Sequence, residues 1–354
     1  MTKKFLLVLS IFLAIFVLAG CEVSIKKGAT TDGGVYKTTD KGEKWTAKNL
    51  IPSISGTPGS ISGINVKKIY LDPKDDETLY LVTKDNGLFF SYNNADYWQT
   101  PRRQPTEMKS IQDLAIDPKD NCNIYVSAAN KIFKTENCAR EWKQIYYGSK
   151  TTDIVNALVV DWYNSNIIYA GTKDGDLMQS NDAGLSWATI KRASTPITKI
   201  VIDPYDSRII YFATTNNGLF KTSDQGKNWT QIKDQFKSYK DSLEYRDFVI
   251  DQSKRNSFFW AAKYGILKTS DGGATWEALK LIEAPGKENI LAVIIDRENS
   301  DGIYYTTSSA FVKSLDGGKS WIAKKLPSTR AGSALAISSK DPKVIYLGVT
   351  ILEK

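Results

Sequence analysis

Thr222-Ser223-Asp224-Gln225-Gly226-Lys227-Asn228-Trp229 reads Ser/Thr-x-Asp-x-Gly-x-x-Trp, a β-hairpin turn spelled out residue by residue. The Asp224 carboxylate can accept hydrogen bonds from the amides of its own turn. Gly226 supplies a backbone conformation with positive φ that a residue with Cβ avoids. Trp229 begins the return strand and can fold its ring back over the turn, burying a large apolar area.

The octet recurs. Clean copies carry Asp40 and Trp45, Asp182 and Trp187, Asp224 and Trp229, Asp271 and Trp276, and Asp316 and Trp321. Two worn copies end at Trp98 and Trp142, with Asn93 or Asn137 for Asp and Ala95 or Ala139 for Gly. The tryptophans are spaced 53, 44, 45, 42, 47 and 45 residues apart. An aromatic residue precedes each of the last six octets, at Tyr80, Tyr125, Tyr169, Tyr211, Trp260 and Tyr304, and a further one, Tyr346, has no octet after it. A period of ~40–50 residues holding several short strands is that of a propeller blade. The expectation is an all-β, seven-bladed propeller of four-stranded blades. Gly34–Lys37 reaches the first octet with no strand pair before it, whereas Ala334–Ile337 and Val344–Leu347 form a strand pair with no octet after it. The C-terminal strands are therefore expected to complete the N-terminal blade and close the ring.

Strand a of each blade is expected nearest the channel, and the fifth runs Ile197–Ile202. Asp-Pro follows it at Asp203-Pro204, as at Asp72-Pro73 and Asp117-Pro118, with Asp161, Asp251 and Asp296 in the same slot. These read as turn residues. Strand alternation puts the d-to-a loops and b-to-c turns on one face of the ring and the octets on the other. Arg102, Arg103 and Lys191, with the aromatic-bearing connection 233–246, mark the loop face as a binding face. The channel mouth should present Lys68, Asp113, Lys199 and Asp247, with the two aspartates opposed across the ring. Alternating charges lining a wet mouth outweigh a catalytic carboxylate pair, which would need ~5–5.5 Å for a retaining glycosidase and ~6.5–9.5 Å for an inverting one.

At the N-terminus Lys3 and Lys4 precede an apolar run from Phe5 to Leu18, then Leu18-Ala19-Gly20-Cys21. This reads as a signal peptide over residues 1–20, and Leu-Ala-Gly-Cys resembles the bacterial lipobox, with Cys21 as the lipidated residue. Residues 21–33 read as a tether and 34–354 as the propeller, giving an exported lipoprotein held on the extracytoplasmic side of a membrane. The tether should leave from the loop face and hold that face toward the bilayer. Cys122 and Cys138 remain, and both fall in the third unit on the octet face. Disulfides persist outside the cell, so a bridge is expected, replacing the fastening that the worn octet has lost.

The chain carries 47 Lys+Arg against 39 Asp+Glu, a net charge of +8, and no histidine. The excess is lysine, without the arginine-rich profile of nucleic-acid readers, and no nucleic acid partner is expected. A basic residue recurs four places after the octet Trp, at Arg102, Lys191, Lys233, Lys280 and Lys325, which fits Lys protecting an edge strand better than an acid-binding rim. Without histidine there is no Ser-His-Asp or Cys-His nucleophile system, and two cysteines make a poor zinc site. No metal or cofactor is expected.

The octet resembles the Asp-box, or bacterial neuraminidase repeat, of sialidases, sortilin, xyloglucan-specific glycosidases and photosystem II assembly-factor propellers. The resemblance covers residues 34 to about 350 and implies architecture more than activity. In size and box pattern the chain is most similar to the assembly-factor propellers, which implies a non-enzymatic platform binding a protein or polymer partner. A sialidase- or xyloglucanase-like glycoside hydrolase is the alternative. No Phe-Arg-Ile-Pro-type motif is present, and there is one propeller where the xyloglucan enzymes use two. A sortilin-like peptide receptor is the third reading, although that family's cysteine-rich segment and membrane helix are missing.

Overall fold

A computed structural model describes residues 31–353 apart from Ser55. The signal peptide, Cys21 and nearly all of the tether lie outside the described residues. The remainder is β-structure with two short 3-10 turns, Thr106–Lys109 and Asp234–Phe236. Among the described residues no helix is long and apolar enough to cross a membrane.

The strands form seven antiparallel blades, numbered in the order of their octets. In blade 5 the order is Ile197–Ile202, Ile210–Thr214, Leu219–Thr222 and Thr230–Ile232, strands a to d. Strand b is buried along its whole length, because both faces are covered by neighbouring blades. Blade 1 mixes the termini as expected. Gly34–Thr38 pairs with Ile345–Thr350, Tyr36 opposite Leu347, and Ile345–Thr350 pairs in turn with Ala331–Ile337. Asp32 and Gly33, read above as the end of the tether, are part of the propeller. The Thr329 amide donates to Asp32 Oδ2 at 2.6 Å, and the Gly33 amide to the Ser62 carbonyl at 2.8 Å. Both partners lie on d-to-a connections, so the chain joins the ring on its loop face.

Blade 2 departs from the four-strand pattern. Its first three strands are Val66–Leu71, Leu79–Thr83 and Leu88–Ser91, and its fourth is reduced to one bridge, Phe90 to Gln99. Gln104 stands in for the missing strand, its Oε1 accepting the Leu88 amide at 3.1 Å. A small hairpin, Leu50–Ile51 with Gly59–Ser60, covers this blade's octet. Trp98 is consequently fully buried, its indole N–H donating to the Lys48 carbonyl at 2.7 Å.

The seven octets share the bond from the Ser/Thr hydroxyl to the Asp or Asn side chain, while the indole N–H varies in its partner. In blade 5 the Thr222 hydroxyl donates to Asp224 Oδ1 at 2.7 Å, and the same oxygen accepts the Asn228 amide at 2.9 Å. The Trp229 indole N–H donates to the Gly226 carbonyl at 3.0 Å. Gly226 has φ 90°, and a Cβ there would stand 2.9 Å from Ile190 Cδ1 on the outer strand of blade 4. The octets thus also wedge blade against blade. The expectation that the worn copies lack this fastening is overturned. Asn137 Oδ1 accepts the Glu141 amide at 2.9 Å, and Ala139 takes φ 63° in spite of its Cβ, a strain of roughly 1–2 kcal/mol.

A second tether repeats seven times. The first positive-φ residue of each octet donates its amide to a carbonyl in its own blade's a-to-b turn, as Gln225 does to Arg208 at 3.0 Å and Gly272 to Asn256 at 2.8 Å. Cys138 and Cys122 occupy this position in blade 3, with their Cα atoms 4.0 Å apart. The a-to-b aspartates are turn residues. Asp203, for one, is buried and accepts the Tyr205 amide at 2.8 Å.

Candidate functional site

Six of the seven inner strands begin with a β-bulge. The ladder slips between Val66 and Lys68, Ile111 and Asp113, Val155 and Ala157, Ile197 and Lys199, Tyr245 and Asp247, and Gly332 and Ala334. Each bulge leaves one residue unpaired and re-aims its side chain. Those residues are Lys67, Gln112, Asn156, Thr198, Arg246 and Ser333, and all of them reach solvent. Together they ring the loop-face mouth of the channel.

Behind this ring lies a cavity of about 450 Å³, whose charged lining is Lys67, Lys68, Lys199 and Arg246 against Asp113 and Asp247. The two carboxylates are held alike. Asp113 Oδ1 takes Lys68 Nζ of blade 2 at 2.6 Å together with the Tyr70 hydroxyl, while Oδ2 takes the Leu158 amide of blade 4 at 2.8 Å. Asp247 Oδ1 takes Lys199 Nζ of blade 5 at 2.7 Å, and Oδ2 takes the Val293 amide of blade 7 at 3.1 Å. Each aspartate therefore stitches three consecutive blades, and both oxygens of each carboxylate are engaged by donors. Cations outnumber anions at the mouth. Burial and the neighbouring Lys68 lower the Lys67 ammonium to about 8, and its Nζ donates to the Ile111 carbonyl at 2.9 Å.

The other expected binding-face residues do not join this mouth. Arg103 pairs at 3.0 Å with Glu141, an octet residue of blade 3, because blade 2 has no full outer strand to carry the chain up to the loop face. Arg102 is exposed beside it. Lys191 lies in strand d of blade 4 with its ammonium over the Phe220 ring of blade 5. The aromatics of connection 233–246 turn inward. Phe236 is buried and stacks on Trp260 with ring centroids 5.2 Å apart, and the Tyr239 hydroxyl donates to the Trp276 carbonyl at 2.6 Å. They fill blade 6 and offer no aromatic platform.

Lys67 and Arg246 were missed because strict alternation assigns the residue after them to the mouth. The signal is present as a break in period: Val66 and Ile69, Ile111 and Leu114, Val155 and Leu158, and Ile197 and Ile200 are buried three apart where a regular strand repeats every two.

Residues 22–203, just over half the chain, match the model of the photosynthesis system II assembly factor YCF48 family. The chain belongs to that family. A sortilin (neurotensin receptor 3) model matches residues 175–268 within the same propeller. The photosystem II assembly lipoprotein Ycf48 of Prochlorococcus marinus strain MIT 9312 is 30% identical over 175 residues, 49% of this chain and 47% of that protein. The protein of the same name from a second Prochlorococcus marinus strain, SARG, is 32% identical over 176 residues, with the same coverage. The chain thus spans about half the length of the curated relatives it matches. Solved structures share the fold. YCF48 bound to a D1 peptide superposes with a TM-score of 0.61 at 12% identity, over 81% of this chain and 94% of that one. The GH74 enzyme of Niastella koreensis gives 0.68 at 17% identity, over 81% of this chain and 51% of that one.

Proposed function

We propose that this chain is a lipid-anchored, non-enzymatic platform that receives an acidic segment of a protein partner at the loop-face mouth of its propeller. The cationic surplus of the mouth carries this reading. Lys67 and Arg246 are presented by bulges, while both nearby carboxylates are consumed by blade-to-blade bonds. Electrostatic focusing in such a cleft draws in an oppositely charged ligand. Family membership supports a binding role, and a structural relative is known in complex with a D1 peptide.

Lipidation at Cys21 fits the Leu-Ala-Gly-Cys pattern and the word lipoprotein in the names of the curated relatives. The ten residues from there to Thr31 reach roughly 35 Å when extended. The loop face, where the chain joins the ring, is the face we place toward the bilayer, and a membrane-protein segment suits a partner there. The GH74 likeness favours glycoside hydrolysis as the second reading. Asp113 and Asp247, each held by a lysine and by an amide of the next blade, are poorly suited to supply its acid and base.

Fluorescence anisotropy of a labelled Glu/Ala peptide tests the platform. Binding should weaken with added salt and fall at least tenfold in Arg246→Glu with an unchanged melting temperature. Binding indifferent to that reversal, or turnover of a xyloglucan oligosaccharide, would overturn the reading.

A further inference from the structure

Toward its octet-face end the channel holds a second, smaller cavity, of about 270 Å³. The apolar part of its lining comes from four blades, among them Ile69, Val249, Ile294 and Leu335, and its polar part includes Gln252 and Arg297. Both polar residues follow the aspartate of an a-to-b turn, at Asp251 and Asp296, where blades 2, 3 and 5 carry proline. Two of the positions that elsewhere only shape a turn here point hydrogen-bond donors into the channel.

Arg297 makes no hydrogen bond or ion pair with any described residue. Solvent reaches it through the open end, while protein on its other sides depletes its hydration and pulls its pKa below the usual value. The nearest influential carboxylate, Asp76, is already engaged by the Ser338 hydroxyl and by the amide and hydroxyl of Ser339. The guanidinium is exposed at the edge of the cavity, and no carboxylate among the described residues there balances its charge. An anion would do so, and the apolar walls select what should be attached to that anion.

We propose that this end of the channel binds a monocarboxylate with an apolar tail. The carboxylate is held by Arg297, assisted by the Gln252 amide, and the tail lies against Ile69, Val249, Ile294 and Leu335. The volume equals that of about nine liquid waters, at ~30 Å³ each, so the tail is of medium length. A planar guanidinium suits a carboxylate as a two-pronged partner. The site shares Ile69, Val249, Ile294 and Leu335 with the inner wall of the mouth cavity, and Arg297 at the opposite end from Lys67 and Arg246 is what distinguishes it.

Isothermal titration of the full chain with octanoate is the test. One site per chain is expected, with affinity reduced at least tenfold in Arg297→Gln, partly restored in Arg297→Lys and unchanged in Arg246→Glu. Octyl glucoside, which keeps the tail and lacks the charge, should not bind. Equal melting temperatures for wild type and Arg297→Gln without ligand would tie the loss to the site. Absence of octanoate binding, equal binding by Arg297→Gln, or equal binding of octyl glucoside would each overturn the proposal.

Discussion

Lys199 Nζ stands 2.7 Å from Asp247 Oδ1, and Lys68 Nζ stands 2.6 Å from Asp113 Oδ1, the same contact three blades away. In both, the aspartate reaches on to an amide of the following blade. Asp113 is the more deeply buried of the two, so Asp113→Ala strands an ammonium, a phenol and an amide together. Breaking a buried pair from one side costs about 3–5 kcal/mol. Urea denaturation should show a loss of that order for Asp113→Ala and a smaller one for Asp247→Ala.

Lys67 titrates near 8 in the folded chain against an ordinary 10.5. A lysine with a depressed folded pKa binds fewer protons folded than unfolded, so its contribution to stability rises as pH climbs from about 8 to 10.5. Its contribution to anion binding runs the other way, because the mouth loses a charge over the same interval. Acidic-peptide affinity measured from pH 7 to 9.5 should decline through about 8, and Lys67→Gln should flatten the profile.

The octet aspartates titrate low. Asp182, Asp271 and Asp316 are lowered to about 2 chiefly by the hydroxyls of Ser186, Thr275 and Ser320, and Asp224 chiefly by the Asn228 amide. Carboxylates depressed by folding stabilise above their unfolded pKa near 3.8 and lose that contribution as pH falls through about 2. Melting temperature should drop steeply between pH 4 and 2. Asp224→Asn should be tolerated at pH 7, as the asparagines of the worn octets are, and should make the acid loss shallower.

Trp98→Ala should be the costliest octet tryptophan deletion, in the range of about 3–5 kcal/mol for large buried aromatics. Trp229→Ala, at a half-buried position, should cost less. Chemical denaturation of the two variants side by side checks the order, which sequence degeneracy alone would reverse.

Cys122 and Cys138 should be bonded in protein purified under oxidising conditions. They are 16 residues apart and sit where every blade already joins octet to turn. In the chain-entropy estimate a loop of this size corresponds to ~3 kcal/mol. Intact mass after alkylation, with and without reductant, should show both thiols blocked only in the unreduced sample.

The ring and its closure were legible because the octet is a local motif whose Ser/Thr-to-Asp/Asn hydrogen bonds stay within eight residues, and its spacing counts the blades. The mouth was half legible. Lys68, Asp113, Lys199 and Asp247 were placed there by counting along strand a, whereas the pairing of Lys68 with Asp113 and of Lys199 with Asp247 needs the twist between blades, which no single strand encodes. The long 233–246 connection misled because exposed and inward-turned aromatics have the same composition, and only the stacking of Phe236 on Trp260 tells them apart. Blade 2 hid its missing strand because Gln104, distant from the ladder in sequence, caps it with a side chain.

The bulges that open the inner strands uncouple recognition from folding. The side chains at 67, 112, 156, 198, 246 and 333 lie outside the ladder pairing, while the buried residues beside them keep the strand in register. Lys67, Gln112, Thr198 and Ser333 also bond backbone of other strands or turns, so Asn156 and Arg246 are the one-codon slots in which charge, size or polarity can drift with the least thermodynamic penalty. A lineage of such rings can therefore exchange one ligand for another by repainting the rim of an unchanged barrel of blades.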